Sequence, residues 1–199
     1  MLRPQGHDNP AITAFAGGAD ELTAAIEGAR RGDAESFRIL YREAQPRLLR
    51  YLSYLVGSEA EDIASETWLH VTRDLGTFRG SHSDFRGWIT TIARNRAMDH
   101  LRRAGRQPAT VPVPVQDLAF IAAHSEDTAD RAIEAITTQE ALSLIAALPR
   151  DQAEAVLLRA VVGLDAKRAA QVAGKRAGAI RMAAYRGLKA IEKRISPAP

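Results

Sequence analysis

Residues 165–189 read DAKRAAQVAGKRAGAIRMAAYRGLK. The pattern predicts a short helix from about Asp165 to Ala173, a turn at Gly174-Lys175-Arg176, and a longer helix from near Ala177 through Arg181, Tyr185, Arg186 and Lys189. Glycine accepts a backbone conformation that side chains resist, so Gly174 suits the turn. Two helices joined this way make a helix-turn-helix, whose second helix can lie in the DNA major groove. Lys167, Arg168, Lys175, Arg176, Arg181, Arg186, Lys189, Lys193 and Arg194 cluster here, while Asp165 and Glu192 are the acids after Glu154. Such a concentration of cations suits contact with phosphate. A helical bundle with a solvated basic face accounts for the same charge run, so the charges alone leave both readings open.

Upstream the chain is helical in pattern as well. Phe37, Leu40, Tyr41, Ala44, Leu48, Tyr51, Leu52 and Leu55 recur at steps of three and four, which puts them on one face. Pro46 falls inside this run and predicts a kink or break near Ala44; Gly57 and Ser58 predict its end. A second helix is expected from about Glu59 to Leu75, with Ala64, Trp68, Val71 and Leu75 inward and Asp62, Glu66, Leu69 and Arg73 opposite. After a loop from Phe78 to Ser83, a third helix from about Asp84 to Arg103 can turn Phe85, Ile89, Ile92, Ala93, Ala97 and Leu101 inward together. Helical patterning resumes near Arg131 and runs to Ile195, with breaks at Leu148-Pro149, Gly163 and Gly174. Asp151 and Glu154 have the spacing of a capping box at the start of one of these helices.

Between the helical stretches the composition changes. From Gln107 to Asp130 there is no Lys or Arg, and Pro108, Pro112 and Pro114 stand among Asp117, Glu126, Asp127 and Asp130. Proline favours extended backbone, and a connection this long is uncommon inside one compact domain. The expected organisation is therefore all-α: two small helical domains joined by a flexible linker. Residues 1–19 form a flexible tail, 20–106 the first domain, 107–133 the linker and 134–199 the domain with the helix-turn-helix.

The bulk composition narrows the function classes. With 46% hydrophobic and 26% charged residues, the 199-residue chain can bury a core. Its balance of 27 basic against 24 acidic side chains is too mild to establish a nucleic-acid partner, so the local distribution of charge carries that argument. Cysteine is absent, which excludes disulfides and thiolate metal sites. The N-terminus has no secretory signal pattern and no apolar run is long enough to span a bilayer, so a cytoplasmic location without membrane insertion is expected. The five histidines fall in no nucleophile or metal motif, and the reading is of a non-enzyme with no cofactor and no small-molecule substrate. Asp62, Glu66 and His70 lie one turn apart and mimic metal ligands, but no comparable cluster in the sequence faces them.

At this point the order of features resembles a known family. Ser58 through Trp68, then Phe78-Arg79-Gly80 to Phe85-Arg86-Gly87-Trp88, then Ile92 through Arg103, resemble the promoter-melting domain of extracytoplasmic-function (ECF) sigma factors. Leu148-Pro149 through Leu157-Leu158-Arg159, then Gly163-Leu164 and Ala177 to Arg181, resemble their C-terminal DNA-binding domain. The resemblance spans about residues 20–105 and 136–195. It implies binding to core RNA polymerase and promoter DNA, promoter recognition and melting, and in many relatives an inhibitory anti-sigma factor. Asp62, Glu66 and Leu69 match the helix that docks on the polymerase clamp. Arg79, Ser81, Ser83, Asn95 and Asp99 match the reader of the minus-ten element, where a base is flipped out. Arg94, Arg96, Arg102, Arg103 and Arg106 supply positive surface for the separated strand. Arg176, Arg181, Tyr185, Arg186 and Lys189 are the candidates for the minus-thirty-five element, Arg181 for a base edge and Arg186 and Lys189 for phosphate. Trp88 suits either base stacking or the core, with the core favoured.

Some positions depart from the family pattern. Ala169 and Ala173 stand where large aliphatic residues are usual, and Arg176 where a capping Ser is usual. Met182, Ala183 and Ala184 replace more polar residues on the recognition helix, which implies fewer base contacts. The chain's end at Pro199 leaves no fused regulatory domain in the expected organisation. The competing function is a stand-alone helix-turn-helix regulator, which would footprint an inverted repeat of duplex DNA without polymerase.

Overall fold

The computed structural model describes residues 18–105 and 139–195, and among these every regular element is helical. Residues 1–17, 106–138 and 196–199 lie outside the described residues, and with them the expected linker 107–133 and most of the expected tail 1–19; its last two residues, Gly18 and Ala19, belong instead to the first helix. Helix α1 is Gly18–Arg30, α2 Ala34–Val56, α3 Ala60–Asp74 and α4 His82–Arg103. In the second unit α5 covers residues 139–146, α6 Arg150–Val156, α7 Ala166–Ala173 and α8 Ala177–Ile195.

A turn at Arg31–Asp33, which the periodicity did not disclose, separates α1 from α2. Asp33 caps α2, its carboxylate accepting from the Ser36 amide at 2.8 Å. Pro46 was expected to kink or break this helix; it does not break it, and α2 runs through it from Ala34 to Val56. Proline removes one backbone donor and crowds the preceding turn. Here Ala44, Leu48, Tyr51 and Leu52 are all buried on the face away from exposed Pro46, and their packing holds the helix together. The inward sets expected for α3 and α4 are buried without exception: Ala64, Trp68, Val71 and Leu75 on one, Phe85, Ile89, Ile92, Ala93, Ala97 and Leu101 on the other. Trp68 sits edge-on to Phe37 and beside Tyr41, and its indole N–H donates to the Gln45 side chain at 2.6 Å. Trp88 is half-buried, stacked on Phe78 with ring centroids 5.0 Å apart and tilted against Phe85.

In the second unit α6 widens into a π turn over Leu157–Val161 before the chain bends at Gly163. Asp165 caps α7, accepting from the amides of Lys167 and Arg168. Gly174 ends α7 in the left-handed region at φ 65°, and α8 follows after Arg176. This is the expected helix-turn-helix. The small Ala169, Ala170 and Ala173 are buried, so α7 lies close to its neighbours without large aliphatic side chains. The expected capping box at Asp151 and Glu154 is not formed. Pro149 is the N-cap residue and provides no side-chain acceptor. Asp151 reaches Lys175 instead, and Glu154 is turned into the protein.

The two units are packed against each other, and their buried apolar side chains form one contiguous cluster. A left-handed conformation costs a side chain about 1–2 kcal/mol. Gly174→Ala is therefore expected to lower the unfolding free energy by about that amount, whereas Gly178→Ala, in open space on α8, leaves it unchanged or raises it by up to about 1 kcal/mol. Urea denaturation of the two variants checks the contrast.

Candidate nucleic-acid and polymerase interface

Three surfaces carry the residues singled out in the sequence. On α3, Asp62 is exposed, Glu66 half-buried and Leu69 72% exposed, an apolar side chain left in solvent beside two acids. Glu66 accepts from Arg96 of α4 at 3.2 Å, and Arg96 also approaches His70 Nδ1 at 3.2 Å. His70 Nε2 lies 3.0 Å from Asp74. His70 is thus engaged by an arginine and a carboxylate, and among the described residues no group of three or more acids and histidines has the arrangement of a metal site.

The second surface runs from the loop before α4 along that helix. Arg79 folds back onto the carbonyls of Gly76 and Phe78 at 3.0 and 2.8 Å. Ser81 is the N-cap of α4 in a reciprocal capping box with Asp84, and its hydroxyl also meets that of Ser83 at 3.0 Å. The loop is therefore rigidly tied to the helix start, which begins at His82 and takes in Ser83. Asn95 and Asp99 are exposed one turn apart; Asp99 pairs with Arg102, and Arg103 donates to the Asp99 carbonyl. Arg94 does not share this surface. Its guanidinium points between the units, donating to Glu154 Oε1 at 2.8 Å, and the Tyr51 hydroxyl donates to the same oxygen at 3.2 Å.

The third surface is α8. Arg176, Arg181, Tyr185, Arg186 and Lys189 are all exposed, with the Lys189 ammonium 6.0 Å from the centre of the Tyr185 ring. Of the three residues that depart from the family on this helix, only Met182 is fully on the outer face. Ala184 is buried against the core and Ala183 is half-buried, so the loss of outward polarity is smaller than the sequence implied. Arg168 does not join the basic face. It is turned onto Asp84 of α4 and onto its own cap residue Asp165.

The contacts between the units were not anticipated. Glu154 and Tyr51 are buried, and Arg94 is largely so. Burial pushes the Tyr51 hydroxyl well above its ordinary value, with the Glu154 charge adding to the effect. Burial works against the Arg94 charge, but its hydrogen bond to Glu154 and the attraction of that carboxylate outweigh it and raise its pKa. Removing one partner of a buried pair leaves an uncompensated charge, at a cost of about 3–5 kcal/mol. Nearby, Arg86 donates to the carbonyls of Val162 and Gly163 at 3.3 and 3.4 Å and approaches His82 Nδ1 at 3.3 Å. Glu43 completes this group. Burial raises its pKa, yet the bond with His82 and the charges of Arg47 and Arg86 prevail and hold it low. One signal in the sequence pointed to Glu154: it is a carboxylate inside the run Ala153 to Leu158, where a buried charge needs a partner. Nothing in the sequence named that partner.

Comparison with known proteins agrees with this layout. The Sigma-70 region 2 model matches residues 40–107, and the Sigma-70 region 4 model matches residues 138–191. The chain is 32% identical over 189 residues to the ECF RNA polymerase sigma factor BldN of Streptomyces coelicolor, covering 94% of this chain and 69% of that one. It is 33% identical over 185 residues to the RNA polymerase sigma-H factor of Pseudomonas aeruginosa, covering 86% and 92%. The solved structure of CnrH in complex with the cytosolic domain of CnrY shares the fold, with a TM-score of 0.54, 17% identity and coverage of 87% and 96%. The two units are thus the paired helical domains of a transcription initiation factor. The chain belongs to the ECF RNA polymerase sigma factors. Among the described residues, no helix is long and apolar enough to cross a membrane.

Asp84 supplies a pH test of the helix start. Its bonds with Ser81 and then Arg168 bring its pKa from 3.8 down to about 2. A carboxylate whose folded value is depressed contributes stability above its unfolded value and loses it as pH falls through the folded one. The stability gap between wild type and Asp84→Asn, read from urea midpoints, is therefore expected to be constant above about pH 5 and to close towards about pH 2.

Proposed function

We propose that α3 docks on core RNA polymerase through Asp62, Glu66 and Leu69, that the α4 surface holds the melted minus-ten strand, and that α8 reads the minus-thirty-five element. The observation that carries this reading is Leu69, 72% exposed on α3 one turn beyond Glu66 and two beyond Asp62, in a chain of this family. An exposed apolar side chain following two acids on one helix face suits a partner helix that offers an apolar seat with a basic flank. In the minus-ten role, Arg79, Ser81 and Ser83 shape the loop, Asn95 offers both an acceptor and donors to the edge of a flipped base, and Asp99, Arg102 and Arg103 flank it. Arg94 belongs to the same role once it is free of Glu154. In the minus-thirty-five role, Arg181 reads a base edge, Arg186 and Lys189 hold the phosphate backbone, and Arg176 and Tyr185 complete the contact face.

The domain limits that go with these roles are 20–106 for promoter melting and 134–199 for minus-thirty-five binding, joined by the linker 107–133. The protein acts in the cytoplasm with polymerase and promoter DNA as partners. It has no catalytic centre of its own, and an anti-sigma factor is the further partner that the resemblance implies.

Two measurements test the assignment. The double variant Asp62→Ala with Glu66→Ala is expected to weaken binding to core polymerase at least tenfold; co-elution as tight as wild type would remove α3 as the docking face. Asn95→Ala is expected to reduce promoter opening, followed by permanganate reactivity of unpaired thymines, more than it reduces binding of the holoenzyme to duplex promoter. Equal losses in the two assays would count against the flipped-base role.

A further inference from the structure

Two helices bring three guanidiniums together at the bend around Gly163. Arg47 and Arg50 stand one turn apart on α2, Arg86 comes from α4, and all three are half-buried. A Cβ built on Gly163 would lie 2.5 Å from Arg86 Nη1 and 3.2 Å from Arg47 Nη1. The two nitrogens therefore stand within about 6 Å of each other, a gap that one oxyanion bridges with a charge-assisted bond of about 2.8 Å to each. Burial lowers the pKa of Arg50, and the Arg47 charge lowers it further. Burial lowers that of Arg86 as well; Glu43 opposes the shift and Arg47 adds to it. Arg47 is the middle member of a row of like charges.

The acceptors at hand do not balance this row. Glu43 is already shared, 3.4 Å from Arg47 Nε and 3.4 Å from His82 Nε2. Arg86 reaches uncharged acceptors alone, the carbonyls of Val162 and Gly163 and the His82 ring, at 3.3, 3.4 and 3.3 Å. These are long for hydrogen bonds. The Arg86 Nε is buried with no hydrogen-bond partner among the described residues. Neither a carboxylate nor a hydrogen bond offsets the burial of Arg50. A buried donor without an acceptor is destabilising, and so are like charges held together away from water. One small anion relieves both.

We propose that Arg47, Arg50 and Arg86 form a binding site for a phosphate dianion, free or as the terminal group of a small phosphomonoester. A guanidinium presents its donors in a planar fork that matches phosphate oxygens. The tetrahedral set of oxygens can meet forks arriving from different directions, whereas a flat carboxylate meets one. Half-burial of all three arginines favours a compact ligand over a nucleic-acid backbone, for which fully exposed cations such as Arg102 and Arg181 are open. None of the three belongs to the surfaces assigned above to polymerase or promoter, so the site stands or falls apart from those roles.

Thermal unfolding of the full-length protein tests the site, with sodium phosphate replacing sodium chloride at constant ionic strength. The wild-type midpoint is expected to rise along a saturating curve, by about 3–5 °C at about ten times the half-saturating concentration. Arg50→Gln gives up no bond, so without phosphate it is expected to melt no lower than wild type, and its half-saturating concentration is expected to rise at least tenfold. Arg42→Gln, exposed on the same helix, is expected to respond as wild type does. A rise that is linear in phosphate and equal in wild type and Arg50→Gln is the general effect of a salt excluded from protein surface, and it would overturn the site, as would no rise. The phosphorus resonance of phosphate gives a reading that needs no variant: wild-type protein is expected to broaden it saturably, and an unbroadened line would also overturn the site. Adenosine 5′-monophosphate in place of phosphate separates the two sources. Tighter half-saturation assigns the site to a phosphomonoester, and equal or weaker half-saturation to the free ion.

Discussion

One carboxylate organises the molecule. Glu154 sits among the buried Ala153, Ala155, Val156, Leu157 and Leu158, and it is removed from water. A lone buried charge is costly, so the surrounding structure has to answer it. The answer comes from two helices of the other domain: the Tyr51 hydroxyl from α2 and the Arg94 guanidinium from α4 converge on the same oxygen. That convergence fixes how α6 lies across α2 and α4, and with it where the helix-turn-helix stands. Arg86 and Arg168 extend the arrangement along α4, while the apolar clusters of the two domains meet around it. A hydrophobic seam alone would permit sliding. A buried, hydrogen-bonded charge selects one register.

Much of the fold was legible because helices repeat their inward residues at a fixed spacing. The faces of α3 and α4 followed directly from Ala64, Trp68, Val71 and Leu75 and from the Phe85 to Leu101 series. The helix-turn-helix followed from Gly174 and the cations around it. Local chemistry misled where tertiary packing was stronger. Pro46 reads as a breaker, yet the buried side chains on the far face keep α2 whole. Asp151 and Glu154 read as a capping box, but each has a better partner elsewhere, Lys175 for one and the Tyr51–Arg94 pair for the other. The turn at Arg31–Asp33 was missed because both flanking helices share one periodic pattern.

The site was legible in part. The exposed positions of Leu69, Asn95, Arg181 and Tyr185 agree with roles read from the order of motifs, since those roles need only a helix face. The partners of Arg94 and Arg168 were not legible. Each cation pairs with a carboxylate sixty or more positions away in the chain, and spacing within one helix carries no information about such a pairing. The sequence counted both as members of a basic surface, whereas the fold spends their charge between the domains.

The π turn at Leu157–Val161 carries a consequence of its own. A wide turn of this kind is what one surplus residue looks like when it is absorbed into an α-helix. Excising a single residue there would rewind the segment and rotate everything that follows by about 100° about the helix axis. Gly163 would be carried away from Arg86, and α8 would present a different face outward. The angular phase between the two helical units is thus set by a count of one amino acid.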